Sequence, residues 1–569
     1  MGSTSGLVAI LTSGVVRPAV AFVSLAGSYL IFGLVSVDVL LMQYTNPALA
    51  TLLLLLLVSL ALERTPLLDW LSQSLLRGKE SMATARLMAV TGVLSAFLNN
   101  TAVVAAFLGT ITRQRKIAPS RLLIPLSYAS ILGGITTLVG TSTNLVVNSF
   151  AYSNTGRELG MFSFSLVGIP VALLAFVAVL WSASRLPRNA QQDQDETSSY
   201  FLAAEVQSGS DLIGRSIEDN NLRNLDGLYL LEIERGGRLI SPVGPAEVLR
   251  EGDTLVFTGE VGKVQVLQRF AGLKLFGSAA NDLFATNLVE VVLSHESVLI
   301  GKTLQVVDFR SMFDAGVVGI RRGQKRLEGQ LGQIPLRAGD CLVLAVGNDF
   351  QQHRNIERNF HLLSGSFTRP PLSVGKSVLT LGSFALVIGL AALNLLPLFH
   401  GLLLMLSGLL VARILTPAEL RRRFPFDLWL IIGSALAIAQ GLQSSGAASL
   451  IAQAMQWVTA GNGVYVAFVA CYLLTLLLTE TVTNNAAAAL AFPVAYTTAQ
   501  ALGADPMPFI MAVAYGASAC FLMPYGYQTH LMVYSSGRYQ VKDFMQAGWP
   551  VSVVYSAAVL VITPMVFAF

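Results

Sequence analysis

The chain has 569 residues, too many for one compact domain; 53% are hydrophobic and only 12% charged. A soluble globular protein carries about twice that charged fraction, and a formal net charge of +4 is too small at this length to suggest a nucleic-acid partner. Cys341, Cys471 and Cys520 are scattered, form neither a disulfide framework nor a metal-binding spacing, and read as small apolar filler.

In chain order, residues 6–16 are apolar. No basic stretch precedes them and more apolar sequence follows Arg17, so the segment reads as membrane-associated and retained rather than as a signal peptide. Apolar runs of about 20 residues predict spans over 19–42, 45–62, 122–150 and 161–184, then over 375–396, 400–415, 427–443, 508–535 and 548–568. Segments 81–111 and 463–502 are apolar at both ends but Asn-rich at the centre. A polar centre is tolerated at membrane depth only where protein or an aqueous cavity surrounds it, so each reads as a re-entrant hairpin.

Between the two apolar regions the character changes. The first membrane repeat covers 1–185, a charged linker follows over 186–200, and the second membrane repeat covers 372–569. The residues between carry Gly-Asp turns and short strand-like alternations, the pattern of a soluble α+β insert. This insert repeats itself at an offset of 87 residues over two units, 201–275 and 288–365. Leu212 and Gly214 match Leu299 and Gly301, Arg235 matches Arg322, and Gly252-Asp253 matches Gly339-Asp340. Basic residues collect at Arg64, Arg77, Lys79 and Arg86, at Arg113 to Arg121, at Arg185 and Arg188, at Arg413 and Arg421 to Arg423, and at Arg538 and Lys542. Placing those loops inside puts the insert in the cytoplasm, with the first hairpin entering from the cytoplasm and the second from outside.

The membrane halves repeat more loosely. Asn99-Asn100-Thr101 corresponds to Asn484-Asn485 with the exact register open between Asn99 and Asn100, and Gly140 to Asn144 corresponds to Gly526 to His530. Elements that correspond yet point opposite ways make an inverted repeat, which in secondary transporters places the binding site at the midplane. In each half an Asn-rich tip faces a span interrupted by Gly, Thr and Ser: Ser95, Asn99, Asn100 and Thr101 face 140–144, and Thr479, Thr483, Asn484 and Asn485 face 524–530. Broken helices expose carbonyl oxygens that suit sodium, and N–H groups that favour an anion. Asn148 lies beyond the broken segment and outside the site. His530 reads as a neutral hydrogen-bonding residue, since burial disfavours a charged imidazole; the alternative is a titrating group that gives pH dependence or holds the anion when protonated. Glu480, beside Thr479, reads as structural rather than as a proton relay.

This architecture resembles the divalent-anion:sodium symporter (DASS) family, and within it the sulfate-transporter-like branch with two central TrkA-C (RCK-C) domains. The resemblance covers nearly the whole chain and implies an α-helical polytopic membrane protein with inverted repeats, re-entrant hairpins and a tandem α+β insert. It implies one sodium held by Ser95, Asn99, Asn100 and the Gly140 carbonyl, and another by Thr479, Asn484 and the Gly526 carbonyl. It places Asn100, Thr101, Asn484 and Asn485 on the anion, with Thr141, Ser142, Tyr527 and Thr529 of the broken spans. The expected activity is sodium-coupled symport of a small inorganic anion, sulfate first, by an elevator displacement within a homodimer, in a bacterial inner or plasma membrane surrounded by lipid. Sodium is the coupling ion and no organic cofactor is expected. The insert carries no Gly-x-Gly-x-x-Gly fingerprint and is expected to regulate transport, through a small ligand such as a cyclic dinucleotide, or to hold the dimer. Bicarbonate and dicarboxylate are the alternative substrates. Two different classes are a TrkA-C-gated channel, which would need a filter sequence absent here, and a membrane sensor. No nucleophile–base pair or metal cluster suggests an enzyme.

Overall fold

The computed structural model describes residues 18–65, 79–114, 117–156, 158–187, 372–446 and 463–569, and, with interruptions, 201–276 and 288–362. The expectations for 1–17, for the linker from 188 to 200, and for Arg77, Arg115, Lys116 and Arg157 lie outside the described residues. The chain divides into two units, one of 1–187, 369–533 and 541–569, the other of 188–368 and 534–540.

The first unit is helical. Its first half contains α1 (Pro18–Ile31), α2 (Val37–Tyr44), α3 (Pro47–Leu62), α4 (Glu80–Ser95), α5 (Asn100–Arg113), α6 (Pro119–Gly134), α7 (Ser142–Thr155) and α8 (Ser165–Ala183). Its second half contains α9 (Val374–Ala392), α10 (Leu398–Val411), α11 (Pro417–Arg423), α12 (Phe426–Ser444), α13 (Val464–Thr481), α14 (Asn484–Ala501), α15 (Pro506–Ala517), α16 (Gln528–Ser536) and α17 (Val541–Val566). Among the described residues five helices are long and apolar enough to cross a membrane, or six if the pair α11 and α12, bent by 57°, is one span. Apolar side chains such as Leu166, Leu173 and Val177 of α8 remain exposed, as a lipid-facing surface requires.

The run 19–42, expected to be one span, is two helices. Gly33 turns the chain at φ +69°, and the Ser36 hydroxyl caps α2 by accepting the Val39 N–H at 3.3 Å. The second piece instead continues into α3 as a 26-residue apolar span, Val37–Leu62. Asn46, whose side chain accepts the N–H groups of Ala48 and Leu49 at 2.9 and 3.3 Å, and Pro47 at the first helical position start α3 without ending that span. The two Asn-rich segments are helix pairs broken at 96–99 and 482–483, and the spans over 122–150 and 508–535 are broken at 135–141 and 518–527.

Glycines set the closest helix contacts. A Cβ on Gly133 of α6 would overlap the Gly92 carbonyl of α4, so the two backbones touch. Gly168 of α8 packs on the Ile135 carbonyl and Gly548 of α17 on the Phe521 carbonyl, so each broken span is backed at its break by a glycine of the following long helix.

The second unit holds two five-stranded antiparallel sheets. The first is ordered β3-β2-β4-β1-β5, from β1 (Phe201–Val206), β2 (Leu228–Arg235), β3 (Arg238–Ile240), β4 (Thr254–Gly259) and β5 (Leu273–Phe276). The second is ordered β10-β6-β9-β7-β8, from β6 (Leu288–Leu293), β7 (Ala315–Arg322), β8 (Lys325–Arg326), β9 (Cys341–Val346) and β10 (Phe360–Leu362). Corresponding strands pair in the same order, with a register shift at Leu230/Glu232 in one sheet and at Val317/Gly319 in the other. Leu212, Leu249 and Leu255 fill one core, and Leu299, Leu336 and Leu342 the other. Burial pushes the Cys341 thiol up to about 11, so it stays an inert thiol at neutral pH.

Each sheet carries the same buried ion pair. Arg235 grips Asp253 with two nitrogens at 2.8 and 2.9 Å, and Arg322 grips Asp340 at 2.7 and 2.8 Å. Each aspartate also accepts a turn N–H, from Arg250 or Arg337, at 2.8 Å. The hydrogen bond to Asp253 raises the Arg235 pKa above its ordinary value. Removing one partner of a fully buried pair costs about 3–5 kcal/mol; with the guanidinium partly exposed we expect about 2 kcal/mol. Asp253→Ala is therefore expected to speed hydrogen exchange in β2 and β4, and Asp340→Ala in β7 and β9, each leaving the other sheet unchanged. Unaltered exchange in both variants would contradict this role.

Candidate functional site

The site forms where the two hairpins of the first unit meet the two broken spans. The helix starts fix the register left open in the sequence: α5 begins at Asn100 with Asn99 as its cap, and α14 begins at Asn484 with Thr483 in the cap position. Asn99 accepts the Thr101 N–H at 2.9 Å, so its side-chain oxygen is committed to the helix end.

The halves interlock. Thr101 of the first tip lies 3.4 Å from Gln528 of the second broken span, and Ser142 of the first broken span lies 3.2 Å from Asn485 of the second tip. The Tyr527 hydroxyl sits 2.8 Å from the Asn100 carboxamide and 3.2 Å from the Thr141 hydroxyl. In the amide orientation that satisfies both of its atoms, Asn100 donates to the carbonyls of Gly140 and Ser130 at 3.2 and 3.0 Å and accepts from Tyr527. Two pairs of helix starts, α5 with α16 and α7 with α14, are thus in contact, and the Tyr527 hydroxyl ties the first pair to Thr141 at the start of α7. Neither α7 nor α14 has a side-chain cap, so their first N–H groups are left to other acceptors.

Behind each tip a glycine lets the chain approach a backbone carbonyl closely, with backbone alone around Gly140 and with the Cys520 side chain also against Gly526. A Cβ on Gly140 or on Gly526 would lie 2.9 Å from the carbonyl oxygen of Ser95 or of Thr479, respectively. The Ser95 hydroxyl is buried and has no hydrogen-bond partner, whereas the Thr479 hydroxyl donates to the Ala517 carbonyl at 2.6 Å. The Asn484 amide nitrogen is buried without a partner. Ser95, Asn100, Gly140, Thr141 and Tyr527 are thus gathered at the first break, Thr101 and Ser142 meet Gln528 and Asn485 across the halves, Thr479 and Gly526 meet at the second break, and Asn484 begins α14 beside Asn485. Thr529 is buried one residue behind Gln528, 2.8 Å from the Ser127 hydroxyl of α6.

Ser127, Tyr128 and Thr137 also take part and were invisible in the sequence. Ser127 also meets His530 Nδ1 at 2.7 Å, while His530 Nε2 lies 2.7 Å from the Cys520 carbonyl. A carbonyl can only accept, so Nε2 carries a proton and the ring bridges the halves. Tyr128 donates to the Phe521 carbonyl at 2.7 Å and packs edge-on against His530. Glu480 accepts the N–H groups of Phe521, Leu522 and Met523, each at 3.0 Å, satisfying donors that the break deprives of helical partners. In the first half Thr137 serves the same end, donating to the Ala96 carbonyl and accepting the Gly140 N–H at 3.1 Å. Asn148 is not idle: its side-chain oxygen accepts the Leu159 N–H at 2.7 Å and ties α7 to the following loop.

The arrangement offers neutral oxygens behind each tip and helix N-termini in front, the chemistry of small cations beside an anion. Comparison with known proteins agrees with a transport role. The citrate transporter family, CitMHS, matches residues 7–516. An uncharacterized transporter of Synechocystis is 29% identical over 562 residues, covering 95% of this chain and 92% of its own length. The uncharacterized transporter YfbS of Escherichia coli is 27% identical over 545 residues, 88% of this chain and 87% of its own. Sodium/sulfate cotransporter 1 of Chlamydomonas reinhardtii is 28% identical over 367 residues, 62% of this chain but 42% of its own. Interlocked hairpins, broken apolar spans and these matches make the chain an integral membrane transporter that belongs to the citrate transporter family, within the divalent-anion:sodium symporters.

Proposed function

We propose that the protein is a sodium-coupled secondary active symporter of a small divalent oxyanion, sulfate first. The observation that carries this reading is the pairing of helix N-termini, α5 with α16 at Thr101–Gln528 and α7 with α14 at Ser142–Asn485, with Tyr527 between Asn100 and Thr141. Each N-terminus presents roughly half a positive charge, so four present roughly two, the complement of a divalent anion. The side chains at those contacts are neutral, so the anion is held by dipoles and hydrogen bonds and is released without separating an ion pair. The Ser95 and Thr479 carbonyls beside Gly140 and Gly526 supply hard oxygens for sodium, one group behind each tip. The name of the Chlamydomonas relative, a sodium/sulfate cotransporter, supports both ions. The name of the matching family favours a carboxylate as the second reading, since a dicarboxylate also presents two charges.

In this reading sodium orders the tips, the anion completes the site, and the hairpins with their broken spans cross the membrane as one body, in a homodimer. The two β units, TrkA-C-like by their repeat, lie on the cytoplasmic side, where they regulate transport through a small anionic ligand or hold the dimer. Purified protein in proteoliposomes is expected to accumulate labelled sulfate under an inward sodium gradient. Uptake is expected to fall to background with lithium or choline in place of sodium, because a small hard-cation site depends on radius and ligand number. Uptake driven fully by a proton gradient without sodium would overturn the sodium assignment; uptake of labelled succinate but not sulfate would favour the carboxylate.

A further inference from the structure

We infer that Asn144 is a cation ligand of the first half, and that the two cation sites are chemically unequal because its counterpart, His530, offers no free acceptor. This rests on the sodium-coupled reading above. Asn144 is fully buried at the start of α7. Its amide nitrogen donates to the Thr137 carbonyl at 2.8 Å and faces the Gly134 carbonyl at 3.5 Å. Those two carbonyls fix the amide's orientation, since the reversed amide would set oxygen against oxygen. The oxygen Oδ1 is therefore held in one direction, and it has no hydrogen-bond partner. A buried acceptor left unmet is costly, and its natural complement in an otherwise neutral surrounding is a small cation.

The surroundings match that demand. A Cβ on Gly140 would meet the Gly134 carbonyl and, at 2.9 Å, the Ser95 carbonyl, so Asn144 hangs from the rim of this carbonyl cluster. The Ser95 hydroxyl, also fully buried, is unpartnered as well. Asn100, by contrast, has its oxygen occupied by Tyr527 and turns its nitrogen to the Gly140 carbonyl. Asn100 thus positions the cluster and faces the anion side, while Ser95 and Asn144 bring the free side-chain oxygens.

The second half lacks the equivalent oxygen. Both His530 nitrogens are engaged, one with Ser127 and one with the Cys520 carbonyl, and the Thr479 hydroxyl is spent on Ala517. Among the described residues the second break keeps the unpartnered Ser518 hydroxyl, against Ser95 and Asn144 in the first, so the first site has more free side-chain oxygens and fills at lower sodium concentration.

The test is a sodium titration of purified, sulfate-free full-length protein, read by equilibrium binding of radioactive sodium with choline as the balancing ion. Wild type is expected to show two steps. Asn144→Ala is expected to shift the tighter step to at least tenfold higher sodium, and Asn144→Asp, which keeps an oxygen, to leave it within threefold of wild type or tighten it. Equal behaviour of the two variants, both near wild type or both weakened, overturns the assignment. If Asn144→Ala fails to give monodisperse protein, a tenfold weakening in folded Asn144→Asp does the same. Absence of any saturable sodium binding in wild type overturns instead the sodium-coupled reading on which the inference stands.

Discussion

Asn100→Ala and Asn484→Ala are each expected to weaken sodium and anion binding together by roughly tenfold to a hundredfold. Asn100 donates to the Gly140 and Ser130 carbonyls and accepts from Tyr527, so its loss removes three buried hydrogen bonds at once, although Tyr527 keeps Thr141 as a neighbour. Each stranded group costs about 1–3 kcal/mol if nothing replaces its partner, and about 1.4 kcal/mol is a factor of ten in affinity. Asn484 begins α14 with an unpartnered amide nitrogen, so its contribution is a donor held ready for an incoming anion. Because binding of the two ions is linked, a change in one affinity must appear in the other. Sodium titrations at fixed sulfate, and sulfate titrations at fixed sodium, on folded variants decide the matter. Near-normal affinity for both ions in both variants would remove the tips from the site. Asn148 is a poor control, because its loss would strand the Leu159 N–H.

The second large effect concerns packing. Gly133→Ala and Gly548→Ala are expected to abolish recovery of monodisperse protein or to lower its thermal midpoint strongly. A methyl at either position falls on backbone, the Gly92 carbonyl or the Phe521 carbonyl, and not on a side chain that can rotate away. Overpacking against movable neighbours already costs about 1–3 kcal/mol. Gly27→Ala is the matched control, since no atom lies within 4 Å of its Cβ. Size-exclusion profiles and melting curves in detergent give the readout; a Gly133→Ala protein that melts with wild type would show that α4 and α6 can separate at no cost.

Much of the membrane architecture was legible because hydrocarbon imposes one dominant rule, and apolar runs interrupted by Asn, Thr and Ser obey it visibly. The exceptions have physical causes. The run 19–42 hides its turn because Phe32 and Leu34, on either side of Gly33, are themselves apolar, so hydropathy does not change where the helix ends. The register between Asn99 and Asn100 depends on which one caps a helix, a matter of backbone angle that neighbouring identical residues conceal. Ser127 lies within an apolar helix as ordinary helix-packing residues do. Only its 402-residue separation from Thr529 and 403-residue separation from His530, closed in space, give it meaning. Glu480 was read as structural, and its three backbone partners fit that reading. For Asn144, residue type alone did not distinguish a free oxygen from one already bonded.

The interlocking of tips and broken spans also bears on how the molecule is made. Asn100 finds Tyr527 only after 427 further residues, and Ser142 finds Asn485 after 343. At ribosomal speeds of about 5–20 residues per second, the first tip waits roughly 20–85 s for its partner. During that interval the first half sits in the bilayer with Asn100 and Thr101 unmatched, a state open to wrong pairings and to quality-control proteases. What it can complete by itself is the backbone contact of Gly92 with Gly133 and of Gly168 with Ile135. Those contacts need nothing from later in the chain, and they let the nascent half hold its shape until the other arrives.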